Sequence, residues 1–405
     1  MKTETNSYAT DVTVVGGAGR DGIALVLAMA ERNLTINVND SDIQAIEQLE
    51  KGQMPYVEVG AARLLKEALE NKRLVFSKSP NRISPRGPVI IMIGTSIDKF
   101  FNPSRKSLQD CIDGLLPHMS EPRLIVLRAS VFPGTTDWLD GYVKGHGYNH
   151  RIAFCPERAV QGFALQEVDN VPQIVGSTSS EAENEAIALF QPLVRKFVAL
   201  SPKEAEFARL FSNAYKYIDL AVTNEFYLIA KSAGLDYQTI LQGMKHDNPR
   251  ARSIMSPGFV GGANLHTDTL QLAATSRHNF GLLTNTALFV NEGLVLQVIH
   301  HLQRNYDLSQ KTVGLLGMAF KAQSDDIRAS LSYKFKKLLA LYAGEVLTTD
   351  PLVKADNDLL PLNEVVTRSD ILILCTPHEL YKSADLQGKP VVDIWGFLEQ
   401  GNIIK

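Results

Sequence analysis

Asp11-Val12-Thr13-Val14-Val15-Gly16-Gly17-Ala18-Gly19-Arg20-Asp21-Gly22 is the stretch that decides the fold. An apolar run, Asp11–Val15, stops at a cluster of glycines, and Ile23–Glu31 then reads as a helix rich in Ala, Leu and Met. A second strand, Ile36–Val38, ends at Asn39-Asp40. Strand, glycine turn, helix, strand is a βαβ unit. Glycine at 17, 19 and 22 permits the tight turn and lets a pyrophosphate approach the backbone, facing the free N–H groups of the helix N-terminus. Asp40 stands about 20 residues further on, where a carboxylate accepts both ribose hydroxyls of NAD and repels a 2′-phosphate. Gly17, Gly19, Gly22 and Asp40 are thus the expected NAD ligands. The bland alternative is a glycine-rich turn that binds nothing.

Outward from this unit, strands are expected at Val89–Ile93, Leu124–Leu127 and Ile152–Phe154, with helices between them, which predicts a parallel sheet. From about Ser201 the pattern changes. Lys203–Ala233 is one long helical stretch, with Phe207, Leu210, Phe211, Ala214, Tyr217 and Ile218 as its apolar positions. A Pro- and Gly-rich segment, Asn248–Thr269, reads as a loop, and Asn285–Gln303 as another helix. Strand periodicity returns at Thr312–Leu316, followed by a helix over Leu331–Ala343, a strand over Glu345–Thr348 ending at Asp350, and strands at Ile371–Leu374 and Val391–Asp393. The prediction is an α/β protein with two Rossmann-like doubly wound domains, residues 1–200 and 306–405, joined by a central helical region, residues 201–305. No sequence repeat or low-complexity segment accompanies the two similar ends.

Composition sets limits. The chain has 405 residues, 45% hydrophobic and 21% charged, which suits two or three globular domains. A formal net charge of −3 provides no strong field for nucleic acid or an anionic membrane. Cys111, Cys155 and Cys375 form no CxxC pair, so neither a disulfide framework nor a zinc site is indicated, and a reducing cytoplasm fits. The start, MKTETNSYAT, lacks the apolar core of a signal peptide, and no apolar run approaches the roughly 20 residues that span a bilayer. His246, His266 and His278 are spaced as ordinary polar residues rather than metal ligands, and no metal is expected.

Several further motifs occur in order. Leu49, Gly52 and Glu58 follow Asp40. Then come Gly94-Thr95-Ser96, Ala129-Ser130-Val131-Phe132-Pro133-Gly134-Thr135-Thr136, and Cys155-Pro156-Glu157-Arg158 with Gly162. Glu206-x-x-Arg209-x-x-x-Asn213 precedes Asn224-Glu225. Last are Gly317-x-Ala319-Phe320-Lys321 and Asp325-Asp326-Ile327-Arg328-x-Ser330. Together they resemble the UDP-glucose/GDP-mannose dehydrogenase family, and within it the branch acting on UDP-N-acetylmannosamine or UDP-N-acetylglucosamine. The resemblance runs through almost the whole chain. It implies an N-terminal NAD domain, a central helical dimerisation region and a C-terminal domain holding the UDP part. It also implies oxidation of a sugar C6 alcohol to a carboxylate with two NAD reduced, through a thiohemiacetal on a cysteine.

The chain departs from the family at that cysteine. The family loop reads roughly G-V-G-G-x-C-x-x-x-D; here it is Val260-Gly261-Gly262-Ala263-Asn264-Leu265-His266-Thr267-Asp268. Asn264 stands at the cysteine position, and an amide is no thiolate nucleophile. The family lysine is Arg209, which stays charged and holds an oxyanion or carboxylate but shuttles no proton. The resemblance implies Asp268 as proton acceptor, directly or through water. It gives Arg209 and Asn213 to the reacting oxygen, Glu157 to water or sugar, and Ser130 a place near the reacting carbon. Lys321, Gly261 and Arg250 are expected at the substrate, Arg250 reaching across a homodimer. Thr95 and Arg328 are expected near the cofactor. Each has a plainer reading: Asp268 as a helix cap, Arg209 as an ordinary ion pair, Lys321 and Arg328 as solvated charges, Cys155 as a small buried apolar residue.

Both substitutions keep charge stabilisation and remove covalent capture of an aldehyde. The expectation is an NAD-dependent enzyme that takes a nucleotide-sugar hydroxyl through one two-electron step, alcohol to carbonyl or the reverse. Oxidation of a hydrated aldehyde with Glu157 activating water stays open. So do an epimerase that returns its hydride and a silent member that binds NAD and nucleotide sugar.

Overall fold

Val12–Val15 forms the first strand, β1, and all four of its residues are buried. Val12 and Val14 pack on one face of the sheet and Val15 on the other. The same alternation recurs in β4 (Val89–Ile91) and β7 (Leu124–Leu127), so apolar residues fill both faces, as a strand covered by helices on each side requires. A computed structural model of the chain describes residues 10–79, 82–98, 102–259, 261–275, 281–398 and the backbone of 402–404. Val260 and His278 lie outside the described residues. The chain divides into two units, Met1–Phe211 and Ser212–Lys405.

The first unit is built on eight strands. Besides those above they are β2 (Ile36–Asn39), β3 (Leu74–Ser77), β8 (Arg151–Phe154), β9 (Gln173–Ser177) and β10 (Phe197–Leu200). Their order is β10-β9-β8-β7-β4-β1-β2-β3. The pairings are parallel except β8 with β9, which is antiparallel. A separate two-stranded ribbon joins β5 (Ser96–Ile97) to β6 (Pro103–Ser104). The helix after β1 runs from Arg20 to Glu31, three residues longer at its start than its apolar pattern suggests.

The second unit opens within one helix, Pro202–Ser232, which the sequence placed to within a residue at each end. Its sheet is parallel throughout, in the order β12-β11-β13-β14-β15, where β11 is Thr312–Leu316, β12 Glu345–Thr349, β13 Ile371–Leu374, β14 Pro390–Val392 and β15 Asn402–Ile404. Val313, Leu315, Ile371 and Ile373 face one core, and Leu316, Leu372 and Leu374 the other. Helix Leu282–Asn305 is long and apolar enough to cross a membrane by composition, but Leu294, Val295, Val298, Ile299 and Leu302 pack it into the first of these cores. The segment Asn248–Thr269 differs from its expectation. A helix starts at Ala263, directly after Gly262, the last glycine or proline of the segment. The helix expected over Leu331–Ala343 ends at Leu339.

Candidate active site

The glycine turn is built for close approach. A Cβ on Gly22 would lie 2.3 Å from the carbonyl oxygen of Gly16, so only glycine lets the helix start this near the strand end. Gly19 is the N-cap and has no side chain to cap the helix, whose N-terminus is the end that favours an anion. Asp40 follows β2 directly and is half-buried. One of its oxygens accepts the N–H of Ala18 at 3.0 Å and the other the N–H of Asp42 at 3.0 Å. The carboxylate is thus tied to the turn beside which a ribose would lie. These residues fit NAD, the hydride acceptor that the family uses. Replacing Asp40 with Ala is expected to weaken NAD binding by about 1.5–3 kcal/mol, the worth of a hydrogen bond to a charged group. Calorimetry checks it, and unchanged affinity would remove Asp40 from the cofactor site.

A second cluster lies at the ends of β4 and β7. The Thr95 N–H donates to the Ser130 carbonyl at 3.2 Å, and the Phe132 N–H to the Thr95 hydroxyl at 2.9 Å. Arg209 donates from Nε to the Ser130 hydroxyl at 3.1 Å. Three residues singled out from sequence are therefore in one place. Glu206, one turn earlier on the same helix, has a role that its place in the sequence does not suggest. It is fully buried, and its carboxylate accepts the N–H groups of Gly134 and Thr136 and the Thr136 hydroxyl. It thereby caps the helix Thr135–Gly145 and holds the Ser130 loop. No sequence signal names these partners, which are some 70 residues away.

Glu157 lies elsewhere in the first unit. Its carboxylate pairs with the guanidinium of Arg128 at 2.5 Å and accepts the N–H groups of Arg158 at 2.8 Å and Ala159 at 2.9 Å. Burial pushes its pKa up, but Arg128 and the backbone donors outweigh burial and hold the carboxyl below the usual carboxylate range. So committed a carboxylate is poorly placed to take a proton from water. Arg128 was not singled out from sequence, although a buried guanidinium needs such a partner.

In the second unit Asp268 is 1% exposed and sits inside the helix Ala263–Thr275, not at its cap. One of its oxygens accepts the Asn213 side-chain N–H at 2.6 Å. Asn264 is one turn earlier on the same helix, half-buried, and its amide makes no hydrogen bond among the described residues. The two glycines before it are forced by contact. A Cβ on Gly261 would sit 2.4 Å from the Ala329 carbonyl, and one on Gly262 2.6 Å from the Phe320 ring. The Gly262 N–H also donates to the Ala329 carbonyl at 3.1 Å. The asparagine loop is thus fastened to the segment bearing Lys321 and Arg328. Arg328 grips the buried Asp326 through two nitrogens at 2.7–3.1 Å, so it is more than a solvated charge. Arg250 joins neither cluster; it is exposed in a short turn, Pro249–Ala251.

The cysteines offer no substitute thiolate. Burial pushes the Cys111 and Cys155 thiols up to about 12, Arg128 offsetting little of it at Cys155, and Cys375 is raised as well. Cys155 and Cys375 are buried among apolar side chains.

Comparison with known proteins matches this layout. Residues 10–194 match the NAD binding domain of the UDP-glucose/GDP-mannose dehydrogenase family, residues 203–292 its central domain and residues 314–400 its UDP binding domain. The chain is 26% identical over 383 residues to a UDP-N-acetyl-D-mannosamine dehydrogenase of Pyrococcus horikoshii, covering 91% of this chain and 90% of that one. It is 24% identical over 409 residues to an NDP-N-acetyl-D-galactosaminuronic acid dehydrogenase of Ralstonia nicotianae, covering 94% and 95%. The solved structure of a UDP-glucose dehydrogenase from Pyrobaculum islandicum superposes with a TM-score of 0.88 at 22% identity, over 100% of this chain and 98% of that one, a likeness that bears on the fold. With all three domains matched in order, this chain belongs to the UDP-glucose/GDP-mannose dehydrogenase family of NAD-dependent nucleotide-sugar dehydrogenases.

Proposed function

We propose that this protein oxidises a hydroxyl of a UDP-hexose or UDP-N-acetylhexosamine to a carbonyl in one two-electron step, or runs that step in reverse. One observation carries the reading: Asn264 stands where the family loop has its cysteine, and every thiol of the chain is held protonated by burial. Without a thiolate no thiohemiacetal forms, and the second oxidation loses its covalent intermediate. Hydride transfer to NAD needs only a proton acceptor and orientation. Asp268, fixed by Asn213, is the proton acceptor. Arg209 and Asn213 hold the reacting oxygen, and Ser130, bonded to Arg209, flanks the reacting carbon. Gly261 and Lys321 contact the substrate, and Thr95 and Arg328 lie near the cofactor. The Asn264 amide is a hydrogen-bond partner for the sugar. Glu157 orders the loop after β8 rather than activating water, in keeping with its bond to Arg128.

The substrate class rests on the matched UDP binding domain and on the relatives, which are named for nucleotide-linked sugars. The unpaired cysteines favour a cytoplasmic setting. A homodimer is part of the reading. Tyr215, Val222, Phe226 and Ile229 expose an apolar stripe along the long helix, at the spacing of one helical face. Arg250, exposed in the single chain, would complete the partner's site. Light scattering should give twice the chain mass, and Phe226→Glu should shift it to the monomer; a monomeric wild type would end this part of the reading.

Asn264→Cys tests the chemistry. Restoring the thiol is expected to let some product proceed to the carboxylic acid, with a second NADH formed. A wild type that already makes the acid would overturn the proposal, and a folded variant that makes none would show that the missing thiol is not what stops the oxidation.

A further inference from the structure

Both units make the same turn after their first strand, and they finish it differently. In the first, the Gly16 N–H donates to the Asn39 carbonyl at 2.8 Å, the Ala18 N–H donates to Asp40, and a helix opens at Arg20. In the second, the Gly317 N–H donates to the Thr349 carbonyl at 2.9 Å, and the N–H groups of Met318 and Ala319 donate to Asp350 at 2.6 and 3.0 Å. Asp350 is thus the counterpart of Asp40. No helix follows there until Leu331, and residues 320–330 form a loop that carries Lys321 and Arg328.

Asp350 is not open to a ribose. Its side chain is fully buried, and His378 fills the remaining approach, with Nε2 at 3.2 Å. The other ring nitrogen, Nδ1, accepts the N–H of Gln323 at 3.2 Å. A backbone amide only donates, so Nδ1 carries no proton and Nε2–H faces the carboxylate. The ring is 1% exposed, and Tyr381 packs against it edge-on. The Thr376 hydroxyl, two residues before, donates to the Ala319 carbonyl at 2.6 Å. Gln323 itself has φ +55°, a left-handed conformation that a side-chain-bearing residue adopts only when held.

We propose that His378 is a positioning residue that bridges Asp350 to Gln323, closes the second turn to a dinucleotide, and fixes the loop presenting Lys321 to the nucleotide sugar. The inference rests on reading Lys321 as a substrate contact. Its force is geometric: the loop has no helix of its own, and the bond from Gln323 ties its middle to the sheet. The imidazole, 55 residues from Gln323 and 28 from Asp350 in the chain, joins the two through opposite edges, which no other neutral side chain does with one planar ring.

Two substitutions separate the edges. In His378→Asn the side-chain oxygen replaces Nδ1 and still accepts from Gln323. In His378→Gln the amide nitrogen replaces Nε2 and still reaches Asp350, but the acceptor for Gln323 is gone. Hydrogen exchange across residues 320–329 and calorimetry with UDP are measured on the full chain. The Gln323 amide should be protected in the wild type and in H378N, and should exchange at least about tenfold faster in H378Q, as expected for one lost hydrogen bond. H378Q should also weaken UDP binding and raise KM for the sugar nucleotide by about tenfold. Its kcat should stay near the wild-type value, and H378N should restore KM. An unprotected Gln323 amide in the wild type would overturn the proposal, whether or not H378Q folds. So would an H378Q protein with unchanged exchange and unchanged UDP affinity. A wild type that binds no UDP would instead defeat the reading of Lys321, and the exchange data would still judge the bridge.

Discussion

Asp268→Asn is expected to lower kcat by about 10²- to 10⁴-fold, the usual worth of a positioned general base, with NAD affinity unchanged. Asp268 lies mid-helix, 1% exposed, with one oxygen on the Asn213 amide at 2.6 Å. A carboxylate in such a place needs a strong reason, because burial without a partner is costly. Capping would have supplied one, but the helix begins five residues earlier, at Ala263. Asparagine keeps the shape and the packing and removes the proton acceptor, so a fall in kcat reports chemistry rather than folding. Steady-state rates beside a fluorescence titration of NAD check it. A loss below about tenfold would remove Asp268 from proton transfer.

Glu206→Ala should cost stability rather than chemistry. The fully buried carboxylate serves the Gly134 and Thr136 N–H groups and the Thr136 hydroxyl. Alanine leaves three donors without an acceptor in a closed space, and each unsatisfied group costs about 1–3 kcal/mol. A total on the order of 3 kcal/mol or more corresponds to a fall in Tm of about 10 °C for a unit of this size. Burial pushes the Glu206 pKa up against the pull of Thr136 and Gly134. Glu206→Gln, which keeps one acceptor, should lose much less. Calorimetric melting of the three proteins decides, and an alanine variant as stable as the wild type would show that the Ser130 loop does not depend on this cap.

The frame of both units was legible because their central strands are apolar on both faces and end at glycine and aspartate: Val12–Val15 to Asp40, Thr312–Leu316 to Asp350. The strands that sequence did not reveal include the two sheet edges, Leu74–Ser77 and Phe197–Leu200. Both are short apolar runs, LVFS and FVAL, only partly buried at the sheet edges, and periodicity alone does not tell such a run from a helix segment. At the candidate site, resemblance placed Asp268, Asn213, Ser130 and Arg209, and the structure pairs them two by two. It could not place Glu206 in a cap, bind Glu157 to Arg128 or set His378 against Asp350. Those are contacts between residues far apart in the chain, and residue type alone does not name the partner. The long segment before Asp268 misled for a simpler reason. Its prolines and glycines stop at Gly262, and the seven residues from Ala263 to Thr269 carry no strong helix formers besides Ala263 and Leu265 to mark the change.

The NADH yield distinguishes one hydride transfer per sugar from two. The chain, NAD and a panel of UDP-hexoses and UDP-N-acetylhexosamines would be incubated to completion and the products weighed by mass spectrometry. One NADH per sugar consumed, with a product two mass units lighter than its substrate, is the expected result. Two NADH per sugar and a carboxylate would show that the full oxidation proceeds without the cysteine, and would contradict the account.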